Sequence, residues 1–190
     1  MVRFFVACLA AAASTVTFAQ TSGTPERFTA LAVNMSGVGR TGASTIEISV
    51  DRWSTDAERD QLINTLLQKG PEKLLTNLQK MKRTGFIRTP NSLGYELHYA
   101  RRSPLPDGGE RVVLATDRPI GFWEASHQPR SIDYPFTVVE LHLNTDGEGE
   151  GKLSIATKIT ADKDKGNIVL EDYGTQPVML TTVKRERRSE

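Results

Sequence analysis

Cysteine is nearly missing from this sequence, and its one occurrence, Cys8, lies in an N-terminal leader. The rest of the chain therefore has no disulfide to staple it and no thiolate for catalysis or for a metal site. Long apolar runs are missing too. The run from Phe4 to Ala13 is well short of the roughly 20 residues that a membrane-spanning helix needs, and no later stretch approaches that length. Net charge is also close to nil, at +1, and Arg3 in the leader carries the excess. A chain so balanced has no field to gather nucleic acid. The basic cluster Lys184-Arg185-Glu186-Arg187-Arg188 is the exception, and its terminal position makes 185–190 a solvated, disordered tail. No serine stands in a strand-turn-helix elbow, since Ser92, Ser103, Ser126 and Ser131 read as loop residues, so serine hydrolase chemistry has no support.

What is present begins with Arg3, the apolar run and the small residues of Thr17-Phe18-Ala19, the pattern of a secretory signal cut before Gln20. Too few apolar residues precede Cys8 for a lipoprotein signal. The expected organisation is a signal peptide over 1–19, a flexible leader over 20–26 and a single β-rich domain over 27–184. The expected setting is accordingly exported, periplasmic or secreted.

Within the domain one block differs from all the rest. Thr55 to Met81 repeats with a helical period, whereas the flanks alternate apolar and polar residues in twos, as in Thr45-Ile46-Glu47-Ile48-Ser49-Val50. Thr55 with Glu58 forms a capping box, Leu62, Ile63, Leu66 and Leu67 form an apolar stripe, and Gly70-Pro71 ends one helix and opens the next. Leu74, Leu75, Leu78 and Met81 continue the stripe, with Lys73, Asn77 and Lys80 in water. A helix-Gly-Pro-helix block also suits DNA binding, which the charge balance opposes. Strands are expected over Phe28–Met35, Thr45–Arg52, Gly85–Thr89, Leu93–Arg102, Arg111–Thr116, Tyr134–Asn144, Lys152–Thr160, Asn167–Tyr173 and Val178–Lys184. In the first of these, Leu31, Val33 and Met35 share one face and Ala30 and Ala32 the other. The fold class is α+β, mainly antiparallel β: a barrel-like or sandwich sheet of eight or nine strands with one helical hairpin packed on it.

Several patterns invite a chemical reading. Gly37-Val38-Gly39-Arg40-Thr41-Gly42 spells a dinucleotide fingerprint, yet an alternating strand follows where a helix N-terminus would have to receive the pyrophosphate, so a hairpin turn is the better reading. Asp146-Gly147-Glu148-Gly149-Glu150-Gly151 resembles the start of a calcium loop, but position twelve is Thr157, which cannot close it, leaving an acidic hairpin. Asp162 and Asp164 raise the same question with the same weakness. No cofactor and no metal is expected.

Glu96-Leu97-His98 and Glu140-Leu141-His142 form a repeated tripeptide in the middle of two strands. Period two puts each glutamate on the face of its histidine, suiting an acid-base pair or two metal ligands. If Arg102 faces Arg111, Asp117 falls opposite Glu96 and adds a third carboxylate. Pairs simply facing water explain the same alternation. His127 beside Phe122 and Trp123 suits a lid over a cavity mouth, with Trp123 and His127 as ligand contacts, or an ordinary anchoring of a long loop.

At Arg88-Thr89-Pro90-Asn91-Ser92-Leu93-Gly94-Tyr95 and Tyr173-Gly174-Thr175-Gln176-Pro177-Val178 the chain resembles a group of small exported bacterial proteins with no assigned activity. That resemblance implies an envelope setting and supplies no mechanism. The sequence therefore points first to a non-catalytic binding or envelope-associated module for a small apolar ligand, a lipid or a partner chain. The alternatives are an isomerase or metal-assisted hydrolase using Glu96, His98, Glu140, His142 and Asp117, and an assembly component joined through an edge strand. Expressed with its full N-terminus in a secreting bacterium, the protein should have a mature mass that begins at Gln20; a mass retaining residues 1–19 would refute the leader reading.

Overall fold

The computed structural model describes residues 23–35, 42–90, 93–120, 133–162, 167–172 and 176–186. Residues 1–22, most of the glycine-rich fingerprint, the segment with Trp123 and His127, and Asp164 lie outside these, while Glu26, assigned from sequence to the flexible leader, is the first residue of a strand. Ten strands and two helices follow in the order β1 (Glu26–Asn34), β2 (Gly42–Val50), α1 (Asp56–Lys69), α2 (Pro71–Lys80), β3 (Gly85–Arg88), β4 (Tyr95–Leu97), β5 (Tyr99–Pro104), β6 (Glu110–Thr116), β7 (Phe136–Leu143), β8 (Glu148–Asp162), β9 (Asn167–Asp172) and β10 (Val178–Glu186). The sheet runs β4-β3-β2-β1-β10-β8-β7-β6-β5 through antiparallel pairs, with β9 paired to the far half of β8. Because β4 and β5 are consecutive stretches of one chain separated by His98 alone, the two ends of this order meet in a nearly closed barrel.

The closing strand changes partner and face in one step. The His98 amide donates to the Ala115 carbonyl while Tyr99 is paired with the same Ala115, so two residues oppose one, the signature of a β-bulge. Leu97 and Ala100 consequently both point into the barrel, three residues apart rather than two. This extra residue corrects the expected register. Arg102 pairs with Val112 rather than Arg111, and the stretch holding Glu96 pairs with β3, so Glu96 is not opposite Asp117.

The interior is filled by side chains. Phe28, Ile46, Ile48, Ile87, Leu114, Leu141, Leu153 and Leu180 are fully buried in one cluster. In β1 the inward residues are Phe28, Ala30, Ala32 and Asn34, while Leu31, and Met35 just past the strand, face outward at 38% and 75% exposure. The larger aliphatics of this strand thus do not pack on a second layer, since the narrow interior takes alanines there. β8 begins earlier than expected, at Glu148, and its Glu-Gly alternation is strand rather than loop. The reason is steric: a Cβ on Gly149 or Gly151 would run into the carbonyl oxygens of His142 or Glu140 on the neighbouring β7.

One end of the barrel is closed by Trp53 and an ion-pair cluster. Glu26 Oε1 receives Arg102 Nη1 at 2.7 Å, and Arg185 Nη2 reaches Glu110 Oε2 at 2.8 Å. Arg185 Nε lies 2.9 Å from Glu26 Oε2 as a charge contact that lacks hydrogen-bond alignment. The guanidiniums cover the rings of Trp53 and Phe28. Burial pushes the Glu26 carboxyl up from its ordinary range, against the pull of Arg185 and Arg102. Desolvation exceeding attraction means the cluster fixes which strand ends meet more than it adds stability. Arg185 and Glu186, assigned from sequence to a disordered tail, are residues of β10.

Leaving the same end, the chain makes its helical excursion. Thr55 caps α1 with the full capping box, and Arg52 holds Glu58 through two 2.9 Å bonds. Such a cap contributes about 1 kcal/mol. Gly70 at φ 83° ends α1 and Pro71 opens α2. Leu62, Leu66, Leu74 and Leu78 pack on Ala115, Phe136 and Val138, the outer face of β6 and β7. Asn77, expected in water, is half-buried and donates to Thr65 Oγ1 at 2.6 Å, tying the helices together.

Since the close approach at Gly149 leaves no room for a side chain, Gly149→Val should lower stability by about 1–3 kcal/mol in chemical denaturation. Glu150→Ala, on the exposed face of the same strand, should stay within about 0.5 kcal/mol. Equal effects would refute the inward assignment of these glycines.

Candidate ligand-binding groove

The two Glu-Leu-His stretches do not meet. At the bulge His98 has Nδ1 3.1 Å from the Met81 carbonyl oxygen and Nε2 3.8 Å from Asp117 Oδ1, joining the end of the helical excursion to the barrel seam. Glu96 is exposed and lies 3.7 Å from Arg83. On β7, Glu140 Oε1 receives Arg111 Nε at 2.6 Å and contacts His142 Nε2 at 2.8 Å. His142 is paired with Arg111, six residues from Asp117 along β6, which is about 20 Å of strand. No single site can use both histidines over that distance. Among the described residues no group of three or more His, Cys, Asp or Glu side chains is arranged to hold a metal. Trp123 and His127 lie outside the described residues.

What the fold builds instead is a groove between the helices and the outside of the barrel. Its volume is about 580 Å³, and it is open to solvent along one side. The floor is the outer face of β5, β6 and β7, where Tyr99, Val113, Ala115, Phe136 and Val138 stand. Leu62, Ile63, Leu66, Leu74 and Leu78 of the helices form one wall, while Ile159 of β8 with Ile168 and Leu170 of β9 forms the other. Ile168 and Leu170 keep 51% and 45% of their surface exposed, and Val169 between them 43%, so β9 is open on both faces.

This floor follows from sequence features that alternation alone does not reveal. Val112-Val113-Leu114-Ala115 in β6 and Phe136-Thr137-Val138-Val139 in β7 are apolar on both faces, the pattern of strands covered on both sides. The inward set fills the barrel and the outward set meets the helices. The bulge at His98 then turns Tyr99, Arg101 and Ser103 outward onto the same surface, which a regular strand would have pointed inward.

The groove is not uniformly apolar. Arg59, Arg101, Ser103 and Arg111 line it with Tyr99, and among the described residues no carboxylate does. Each arginine is held from behind by one acid: Arg59 by Asp60, Arg101 by Asp56 at 2.7 Å, and Arg111 by Glu140. Burial, helped by the Asp56 carboxylate, pushes the Tyr99 phenol up from its ordinary value, with the positive charges of Arg101, Arg59 and Arg111 pulling the other way. Among the described residues nothing hydrogen-bonds to the Tyr99 hydroxyl.

No family model, curated protein or solved structure matches the chain. The site therefore rests on its own geometry. None of the described helices is long and apolar enough to cross a membrane.

Burial works against the charge on Glu140, but the hydrogen bonds from His142 and Arg111 outweigh it and hold the carboxyl below its ordinary range. A carboxyl whose folded-state pKa lies below its unfolded value stabilises the fold fully above that unfolded value, near 4.5, and loses this contribution as pH falls through the lowered folded value. The Tm advantage of wild type over Glu140→Gln should therefore be present at neutral pH and shrink on acidification below 4.5. An advantage that grew in acid would refute the assignment.

Proposed function

We propose that the protein is a non-catalytic binding module that holds one small, elongated apolar ligand in the groove between its helical hairpin and the outside of its barrel. One observation carries this reading: a volume of about 580 Å³, walled by aliphatic side chains from four strands and two helices, is left open by a molecule whose barrel interior is otherwise packed. That volume is within the roughly 300–1,000 Å³ of small-ligand sites. Each buried methylene of a ligand would contribute about 0.8 kcal/mol, so a chain lying along the groove has ample driving force even after the cost of fixing it. The leader-like N-terminus leads us to propose that this binding takes place outside the cytoplasm, where free apolar molecules need a container.

The two acid-histidine pairs support this reading by their separation. His98 with Asp117 braces the seam, and Glu140 with His142 backs Arg111. Neither pair is assigned a chemical step.

The test is displacement of N-phenyl-1-naphthylamine, a neutral probe that fluoresces in apolar sites. Wild type should bind the probe and release it to long-chain ligands, with a rise in Tm. Val113→Trp, which fills the floor, should weaken probe binding at least tenfold with Tm within a few degrees of wild type. A folded Val113→Trp protein that binds the probe as wild type does would move the ligand elsewhere, and a wild type that binds neither probe nor long-chain ligands would refute the reading.

A further inference from the structure

The groove has a direction, and that direction specifies the chemistry of what lies in it. The antiparallel registers stack its floor in rows: Ser103 beside Arg111, then Arg101 beside Val113, then Tyr99 beside Ala115 and Val138, and finally Phe136. On the helical wall Arg59 occupies the first turns of α1, near the Asp56 that holds Arg101, while Leu62 and Leu66 follow it along the helix. On the opposite wall Ile159 lies beyond Thr157, the partner of Phe136, and carries the apolar lining further from the arginines. Among the described residues the three lining arginines therefore stand toward one end, and from the Tyr99 row onward the floor is apolar. From the Arg111 row to the Phe136 row is six residues, or about 20 Å.

Resting on the binding role proposed above, we infer that the ligand is a long-chain fatty acid, its carboxylate at Arg101 and Arg111 within reach of the Tyr99 hydroxyl and its alkyl chain running toward Phe136 and Leu170. Three features converge on an anionic head. Among the described residues arginines line the groove and carboxylates do not. Arg101 and Arg111 each hold one acid through a single nitrogen, which leaves guanidinium N–H groups of the same fork for a second carboxylate. The Tyr99 hydroxyl has no hydrogen-bond partner among the described residues, and the charges it feels are those of Arg101, Arg59 and Arg111 against the one carboxylate of Asp56, which Arg101 already holds. The acids behind the arginines balance their charge, so the head gains oriented hydrogen bonds more than a bare electrostatic field. This makes the expected preference moderate.

Size suits one chain. If a methylene fills about the 30 Å³ that a water molecule does, sixteen carbons occupy roughly 480 Å³. A groove of about 580 Å³ matches the volume of one such chain.

The experiment titrates laurate, 1-dodecanol and dodecylammonium against probe-loaded full-length protein, at neutral pH and below their aggregation concentrations. Laurate should displace the probe about tenfold more tightly than 1-dodecanol, with dodecylammonium weakest. In the double variant Arg101→Gln/Arg111→Gln the preference for laurate should vanish while 1-dodecanol binds as before. Because Arg101 also holds Asp56, Tyr99→Phe provides a milder check that removes one hydroxyl, and it should lower laurate affinity severalfold without touching 1-dodecanol. Equal binding of the three heads, or preference for the cation, would overturn the fatty acid and leave the groove as an apolar site. Failure of all three to displace a bound probe would overturn it as well, and failure of the probe itself to bind would take the groove with it.

Discussion

The molecule depends on a single extra residue in the strand that closes its barrel. A sheet rolled into a ring needs one strand that bonds to both ends of the order, and the stretch from Tyr95 to Pro104 does this by pairing with β3 first and β6 afterwards. Placing His98 and Tyr99 against the one Ala115 reconciles the two registers. The cost is a reversal of faces. Before the bulge the apolar Leu97 points inward and Glu96 outward; after it Ala100 takes the inner position and Tyr99, Arg101 and Ser103 stand outside. Closure and the polar end of the groove therefore have one cause.

The same seam explains why the helices sit where they do. The excursion leaves β2 and returns to β3 at one end of the barrel, where the amides of Asp51 and Arg52 bond to the Thr84 carbonyl. His98 faces Met81 from one side and Asp117 from the other, so the end of the helical excursion is tied to the bulge. Asp56 meets Arg101 just past it. Held at these points, the hairpin lies against the doubly apolar strands β6 and β7 without covering the ground that β9 overlooks. The long β8 carries β9 away from the ring, and the space between them and α1 is the groove.

Polar clusters in this protein act mainly as locators. Glu26 with Arg102 and Arg185 joins strands from across the barrel, although burial makes its charge costly. Glu140 with His142 backs Arg111, and Asp56 backs Arg101. In each case a carboxylate fixes a guanidinium whose planar fork has further donors to offer. The Glu140-Leu141-His142 stretch, which along the chain reads as an acid-base pair, in space also holds Arg111.

Local chemistry determined much of this from the sequence by itself. The capping box of Thr55 and Glu58, the Gly70-Pro71 break and the alternation of Ile46, Ile48 and Val50 are legible because they depend on neighbours a few residues away. The antiparallel β class with one helical hairpin follows from them. The bulge at His98, the inward glycines of β8 and the outward Leu31 were not legible, because each answers to a strand distant in sequence: β3 and β6 for the first, β7 for the second, and a narrow interior for the third. The site was hidden for the same reason. A period of two cannot say which face is inside once a bulge has shifted it by one, so only the tertiary structure decided that Tyr99 and Arg101 would join Arg111 while His98 and His142 stayed apart.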